Sequence, residues 1–121
     1  MAAKSVKETT VYRKAFELEM EIFEISKRFP IEERYSLTDQ IRRSSRSVSI
    51  CLLEAYRKKR YVAHFISKVT DSDMENSETS GWLDFALACL YILKEEHNHL
   101  TKKNEEIGKL LNYMINNPEK Y

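Results

Sequence analysis

Between Leu37 and Arg60 the chain reads LTDQIRRSSRSVSICLLEAYRKKR. At about 100° per residue this is one helix with two faces of opposite character. Leu37, Ile41, Ser44, Ser45, Val48, Leu52 and Ala55 share a stripe that can be buried against other helices. Arg42, Arg46, Ser49 and Arg57 fall well round the cylinder and predict an outward face. Ser36 is the expected N-cap, and Asp39 sits where the positive helix end favours a carboxylate. The helix should end near Arg57, with Lys58, Lys59 and Arg60 at its negative end.

Three further segments carry helical periodicity. The first helix, N-capped by Thr9 or Thr10, should run to about Phe29, where Pro30 forbids continuation. It shows two apolar stripes: Val11, Leu18, Ile22, Ile25 and Phe29 on one, Tyr12, Phe16, Met20 and Phe23 on the other. A lone surface helix needs only one stripe, so the second predicts a central position or a subunit contact. Glu17, Glu21 and Glu24 take the solvated side. A third helix, from about Tyr61 to Leu90, has Val62, Phe65, Ile66 and Val69 inward. Its stripe then turns polar through Ser72, Asp73, Asn76 and Ser80 before Leu83 restores it, and Gly81 costs it about 1 kcal/mol against Ala. The fourth helix should run from about Glu95 or Asn98 to Ile115, with Leu100, Ile107, Leu111 and Met114 inward and Asn116, Asn117 and Pro118 as the stop.

Short loops between such helices predict an all-α fold, an up-down-up-down antiparallel four-helix bundle over residues 10–116. Residues 1–9 and 117–121 read as tails. If the second and third helices turn back near residue 59, Ser44 and Ser45 face the polar layer, whose atoms must find partners there. That alignment puts Arg42 and Arg46 within reach of Asp73, Glu75 and Glu78, and His64 opposite Glu54.

Composition narrows the class. With 2 Gly and 2 Pro in 121 residues there is little turn chemistry for a sheet. The 20 basic and 19 acidic residues nearly cancel, so any polyanion binding must be local. Cys51 and Cys89 read as buried thiols. MAAKSVKETT has no apolar core for a secretion signal and no run suits a membrane span, so a soluble cytoplasmic protein is expected.

No Gly-rich phosphate loop, nucleophile elbow or ligand-spaced cysteine pair is present, and no cofactor or metal is expected. His97 and His99 are two apart and point to different faces of a helix. Glu17 and Glu21 form a carboxylate pair without a pocket around it, so no enzymatic activity is expected.

The stretches YRKAFELEMEIFEISKRFP, YSLTDQIRRSSRSVSICLLEAYRK and FISKVTDSDMENSETSGWLDFALACLYI occur in an order that resembles the bacterial four-helix proteins encoded in intervening sequences of 23S ribosomal RNA genes. The chain is also similar to the accessory proteins of diversity-generating retroelements. The likeness spans roughly residues 10–115. Its most specific parts are Leu37 with Gln40–Ser44, Ser47–Val48 leading to Glu54–Ala55, and Glu78–Thr79 leading to Trp82–Leu83. It implies a ring-like homopentamer without enzymatic activity, and retroelement relatives are implicated in binding nucleic acid and a reverse transcriptase. Cys51 stands where relatives commonly carry Asn.

The strongest functional candidate is the cluster Arg42, Arg43, Arg46, Arg57, Lys58, Lys59 and Arg60, a surface for RNA or a nucleoprotein partner. Tyr56 and Tyr61 flank it and can stack on bases or pack in the core. The competing reading is a solvated face with Arg42 and Arg46 engaged by carboxylates, in a structural or protein-interaction oligomer with no nucleic-acid role. Tyr12, Phe16, Ile50 and Leu53 are the expected oligomer interface.

Overall fold

The structure, a computed structural model, describes residues 5–121. Four helices carry it: α1 (Thr10–Ser26), α2 (Leu37–Arg57), α3 (Val62–Ala88) and α4 (Lys94–Asn116). Three single 3-10 turns accompany them, at Val6–Glu8, Ile31–Glu33 and Pro118–Lys120, and there is no strand among the described residues.

Side-chain pairs show the arrangement. Along α1 and α2, Glu19 meets Ser49 and Ser26 meets Arg42. Between α2 and α3, Ser44 meets Thr79 and Glu54 meets Lys68. Between α3 and α4, Asn76 meets Asn104 and Asp84 meets His97. Between α4 and α1, Glu106 meets Lys14 and Glu96 meets Arg28. In every pair of rows one number rises as the other falls, so neighbours are antiparallel around an all-α bundle. Ile22, Ile41, Leu52, Val69, Leu83, Ile107, Leu111 and Met114 are fully buried at its centre.

Helix ends account for most boundary differences. Thr9 caps α1, its hydroxyl accepting from the Tyr12 amide at 3.2 Å. The helix stops at Ser26, three residues before the expected Phe29, because the amides of Lys27, Arg28 and Phe29 bond three residues back. Phe29 is still buried, beside the Tyr91 ring. Ser36 does not cap α2; the Glu33 carboxylate accepts from the Leu37 amide at 3.2 Å instead. α3 ends at Ala88 because Leu90 has φ 64°, while Tyr91 N–H bonds the Ala86 carbonyl and Leu90 N–H that of Leu87. This is the Schellman arrangement, in which Gly usually holds the left-handed position.

The polar layer is satisfied within the bundle. Ser44 and Thr79 hydroxyls are 2.8 Å apart, and Ser72 donates to the Val48 carbonyl at 2.8 Å. Asn76 and Asn104 bond reciprocally, each amide nitrogen donating to the other's backbone carbonyl at 2.9 Å. Asp73 and Ser80 are only half-buried.

Several expectations need correcting. Ser49, placed on the outward face of α2, is buried because α1 covers that flank. Cys89 is exposed where α3 ends, and Cys51 is half-buried. His64 is exposed beside the Tyr61 ring, and Glu54 pairs with Lys68 at 3.4 Å instead. The expected tail at residues 1–9 is folded from Ser5 onward: Ser5 and Glu8 form a capping box and Val6 is buried. The rest of that expectation, residues 1–4, lies outside the described residues. At the other end Pro118–Lys120 turns and Tyr121 packs against the core. No helix among the described residues is long and apolar enough to cross a membrane.

Candidate nucleic-acid interface

The seven cations singled out on and after α2 do not share one environment. The one on the α3 side, Arg43, is engaged by carboxylates. Arg43 bonds Glu75 at 3.0 Å and also reaches Glu78, whose second role is to accept from the Trp82 indole. Sequence reasoning gave those carboxylates to Arg42 and Arg46. The structure turns both arginines to the opposite flank, toward α1, because Ser44 and Ser45 point inward between them and Arg43.

There Phe23 organises the pair. The Arg42 guanidinium lies 4.9 Å from the ring centroid and that of Arg46 lies 5.5 Å from it, with Lys27 on the same ring at 4.8 Å. Arg42 also donates to the Ser26 hydroxyl at 2.8 Å. A ring face attracts cations, and holding two guanidiniums there removes rotamer freedom that anion binding would otherwise have to remove. Periodicity alone places Phe23 only in the second apolar stripe. The α1–α2 register would have revealed its role, but the sequence pattern defined only the α2–α3 register.

Toward the C-terminal end, Arg57, Lys58 and Arg60 are exposed with no carboxylate within 4 Å among the described residues, as is Arg46. Lys59 instead donates to the Tyr121 carbonyl at 3.2 Å and lies 4.4 Å from the Tyr56 ring. Tyr56 is half-buried against Phe65, whereas Tyr61 is exposed and available for stacking. From Arg42 to Arg57 the helix rises about 22 Å, so its free cations make a strip rather than a point.

Ile50, 53% exposed, interrupts that strip. Phe16, 51% exposed, extends the apolar surface onto α1, while Tyr12 and Leu53 are half-buried against the core. The four expected interface residues therefore lie along one α1–α2 flank with graded exposure.

Below this surface lies Glu19, which the sequence reading did not single out. It is buried, bonded to the Ser49 hydroxyl, and burial pushes its carboxyl up to about 8 despite that bond and the nearby Arg46 charge. Its position between the two α1 stripes was the available signal: a helix flanked by apolar rows on both sides buries what lies between them.

No group of three or more His, Cys, Asp or Glu able to hold a metal exists among the described residues. His97 bonds Asp84 at 2.8 Å and His99 bonds Glu21 at 2.7 Å, on different neighbouring helices, as their spacing requires.

Comparison with known proteins fits this architecture. A crystal structure of a protein of unknown function from the S23 ribosomal protein family of Bacteroides thetaiotaomicron is similar, with 29% identity and a TM-score of 0.78. The match covers 88% of this chain and 98% of that one. Among curated proteins none matches. The family model described as 23S rRNA-intervening sequence protein matches residues 7–113. With all of the bundle but the last three residues of α4 inside that match, the chain belongs to the 23S rRNA-intervening sequence protein family.

Proposed function

We propose that this protein is a non-enzymatic, cytoplasmic homo-oligomer that binds RNA, alone or within a nucleoprotein, through the outer face of α2. The observation that carries the reading is the set Arg46, Arg57, Lys58 and Arg60. Arg46 and Arg57 share a face of α2 and Lys58 and Arg60 follow at its C-terminal end, all exposed with no carboxylate within 4 Å among the described residues, beside an Arg42 already ordered on Phe23. Phosphate is the polyanion such a strip fits, with guanidiniums contacting its oxygens bidentately. A ring of five copies, which the resemblance implies, repeats the strip around an axis and raises its field and avidity together. The α1–α2 flank bearing Tyr12, Phe16, Ile50 and Leu53 supplies an apolar surface for that self-association.

The test is a titration of labelled RNA, single-stranded and hairpin, across a salt series. Binding should weaken steeply with salt and vanish in the Arg42→Glu, Arg46→Glu, Arg57→Glu, Lys58→Glu variant, while circular dichroism shows the fold intact. Salt-insensitive or unchanged binding would overturn the reading.

A second reading, a structural or protein-interaction oligomer with no nucleic-acid role, is favoured by the exposure of Phe16 and Ile50. It is supported if light scattering shows an oligomer that ignores RNA.

A further inference from the structure

The other edge of α1 presents a surface of opposite character. An open trough of about 730 Å³ runs between α1 and α4. Its apolar lining comes from Met20 and Ile25 of α1 and Leu100 of α4. Carboxylates stand along it: Glu17, Glu21 and Glu24 from α1, Glu95 and Glu96 from α4. Cations answer only part of this charge. Arg28 holds Glu96 at 2.7 Å, Lys103 holds both Glu17 and Glu21 at 2.5 Å, and Lys27 reaches Glu24 at 3.1 Å. Five carboxylates thus face three Lys or Arg side chains and His99, which bonds Glu21 at 2.7 Å, and Glu95 has no cation within 4 Å among the described residues.

Shape and charge together choose an occupant. The α1 side extends from Glu17 to Ile25, a rise of about 12 Å, and continues to Arg28 in the turn after the helix. A trough of that length, open to solvent, fits a helix laid along it better than a small molecule needing enclosure. The excess of carboxylate repels RNA and acidic segments and attracts Lys and Arg. We infer that this trough docks an amphipathic helix of a partner protein, apolar on the face toward Ile25 and Leu100 and flanked by Lys or Arg opposite Glu24 and Glu95. The proposal makes no use of the basic face of α2, so the two stand or fall separately.

The probe is a fluorescein-labelled Leu/Lys amphipathic peptide of about four helical turns, titrated into the full chain by fluorescence anisotropy. Two comparison peptides accompany it, a Leu/Glu version and an oligolysine of equal charge. The Leu/Lys peptide should bind, oligolysine should be at least about tenfold weaker, and the Leu/Glu peptide should show no binding. The double variant Glu24→Lys, Glu95→Lys, both positions exposed, should weaken the Leu/Lys peptide at least about tenfold with unchanged circular dichroism. Arg46→Glu should leave its affinity within about twofold. Equal binding of oligolysine, or no effect of the double variant, overturns the proposal. So does light scattering in which the double variant dissociates the protein's own oligomer, because the occupant would then be a second copy.

Discussion

The two edges of α1 treat the same side chain in opposite ways. Toward α4, Glu17 and Glu21 lie at the surface and share Lys103, and His99 adds a second partner to Glu21. Partial burial pushes the Glu21 carboxyl up, but its hydrogen bonds to Lys103 and His99 and their charge outweigh that and leave it below the usual range. Toward α2, Glu19 is buried with a hydroxyl as its hydrogen-bond partner, and burial holds it near 8, so it is protonated at neutral pH. Cations differ in the same sense. Lys103 is clamped by two carboxylates, whereas Arg42 and Arg46 lean on the Phe23 ring, which leaves their charge uncompensated. Composition alone would score the two edges as equally charged. Partner chemistry makes one edge an ion-pair lattice and the other a neutral seam under a free basic strip.

The largest expected difference between the two edges is in their response to pH. Glu19 has a folded pKa of about 8 against an ordinary 4.5, so between those values the native state holds a proton that the unfolded chain has lost. Stability from this group is therefore full below about pH 4.5, falls as pH rises through 8, and then levels off. Urea titrations of wild type and Glu19→Gln should diverge across that window by on the order of 4 kcal/mol, with the variant flat. Parallel curves would mean that Glu19 is ionised and that the seam is not neutral.

Next comes the strip itself. Reversing Arg42, Arg46, Arg57 and Lys58 should lower RNA affinity by at least about 100-fold, whereas Lys103→Glu on the other edge should change it by less than about threefold. Comparable losses would show that net charge, not the uncompensated strip, governs binding.

Gly81→Ala serves as a calibration away from both edges. A Cβ there meets nothing within 4 Å, so the substitution should stabilise by about 1 kcal/mol at every pH. A pH-dependent gain would shift suspicion for the slope from Glu19 to global electrostatics. Smallest is Lys103→Gln, expected to cost no more than about 1 kcal/mol and to lose that effect in high salt, since Lys103, Glu17 and Glu21 all reach solvent. A larger loss would make the α4 edge structural rather than a screened surface lattice.

Much of this was legible from periodicity. The inward stripe of α2 is buried throughout, from Leu37 to Ala55, and Leu83 does restore the core after the polar stretch of α3. The Thr9 cap and the contact of Ser44 with the α3 polar layer also follow from local rules and a single hairpin register. What escaped the reading depended on a second neighbour. Ser49 looked outward until α1 covered it, and Asn76 found its partner in Asn104 of the next helix, 28 residues along the chain. Arg42, Arg43 and Arg46 are interchangeable in composition, yet one pairs with carboxylates and two with a ring.

Apolar periodicity alone specifies four helices and most of the stripe each one buries, because a 3.6-residue repeat marks a face regardless of what covers it; Val62, expected inward, is 56% exposed at the start of α3. Contacts between helices settle the fate of residues at the margins of those faces. A side chain about 100° from the stripe centre is solvated or buried according to whether a neighbouring helix reaches it. Burial then decides whether a carboxylate such as Glu19 keeps its charge, and which cations remain free to act.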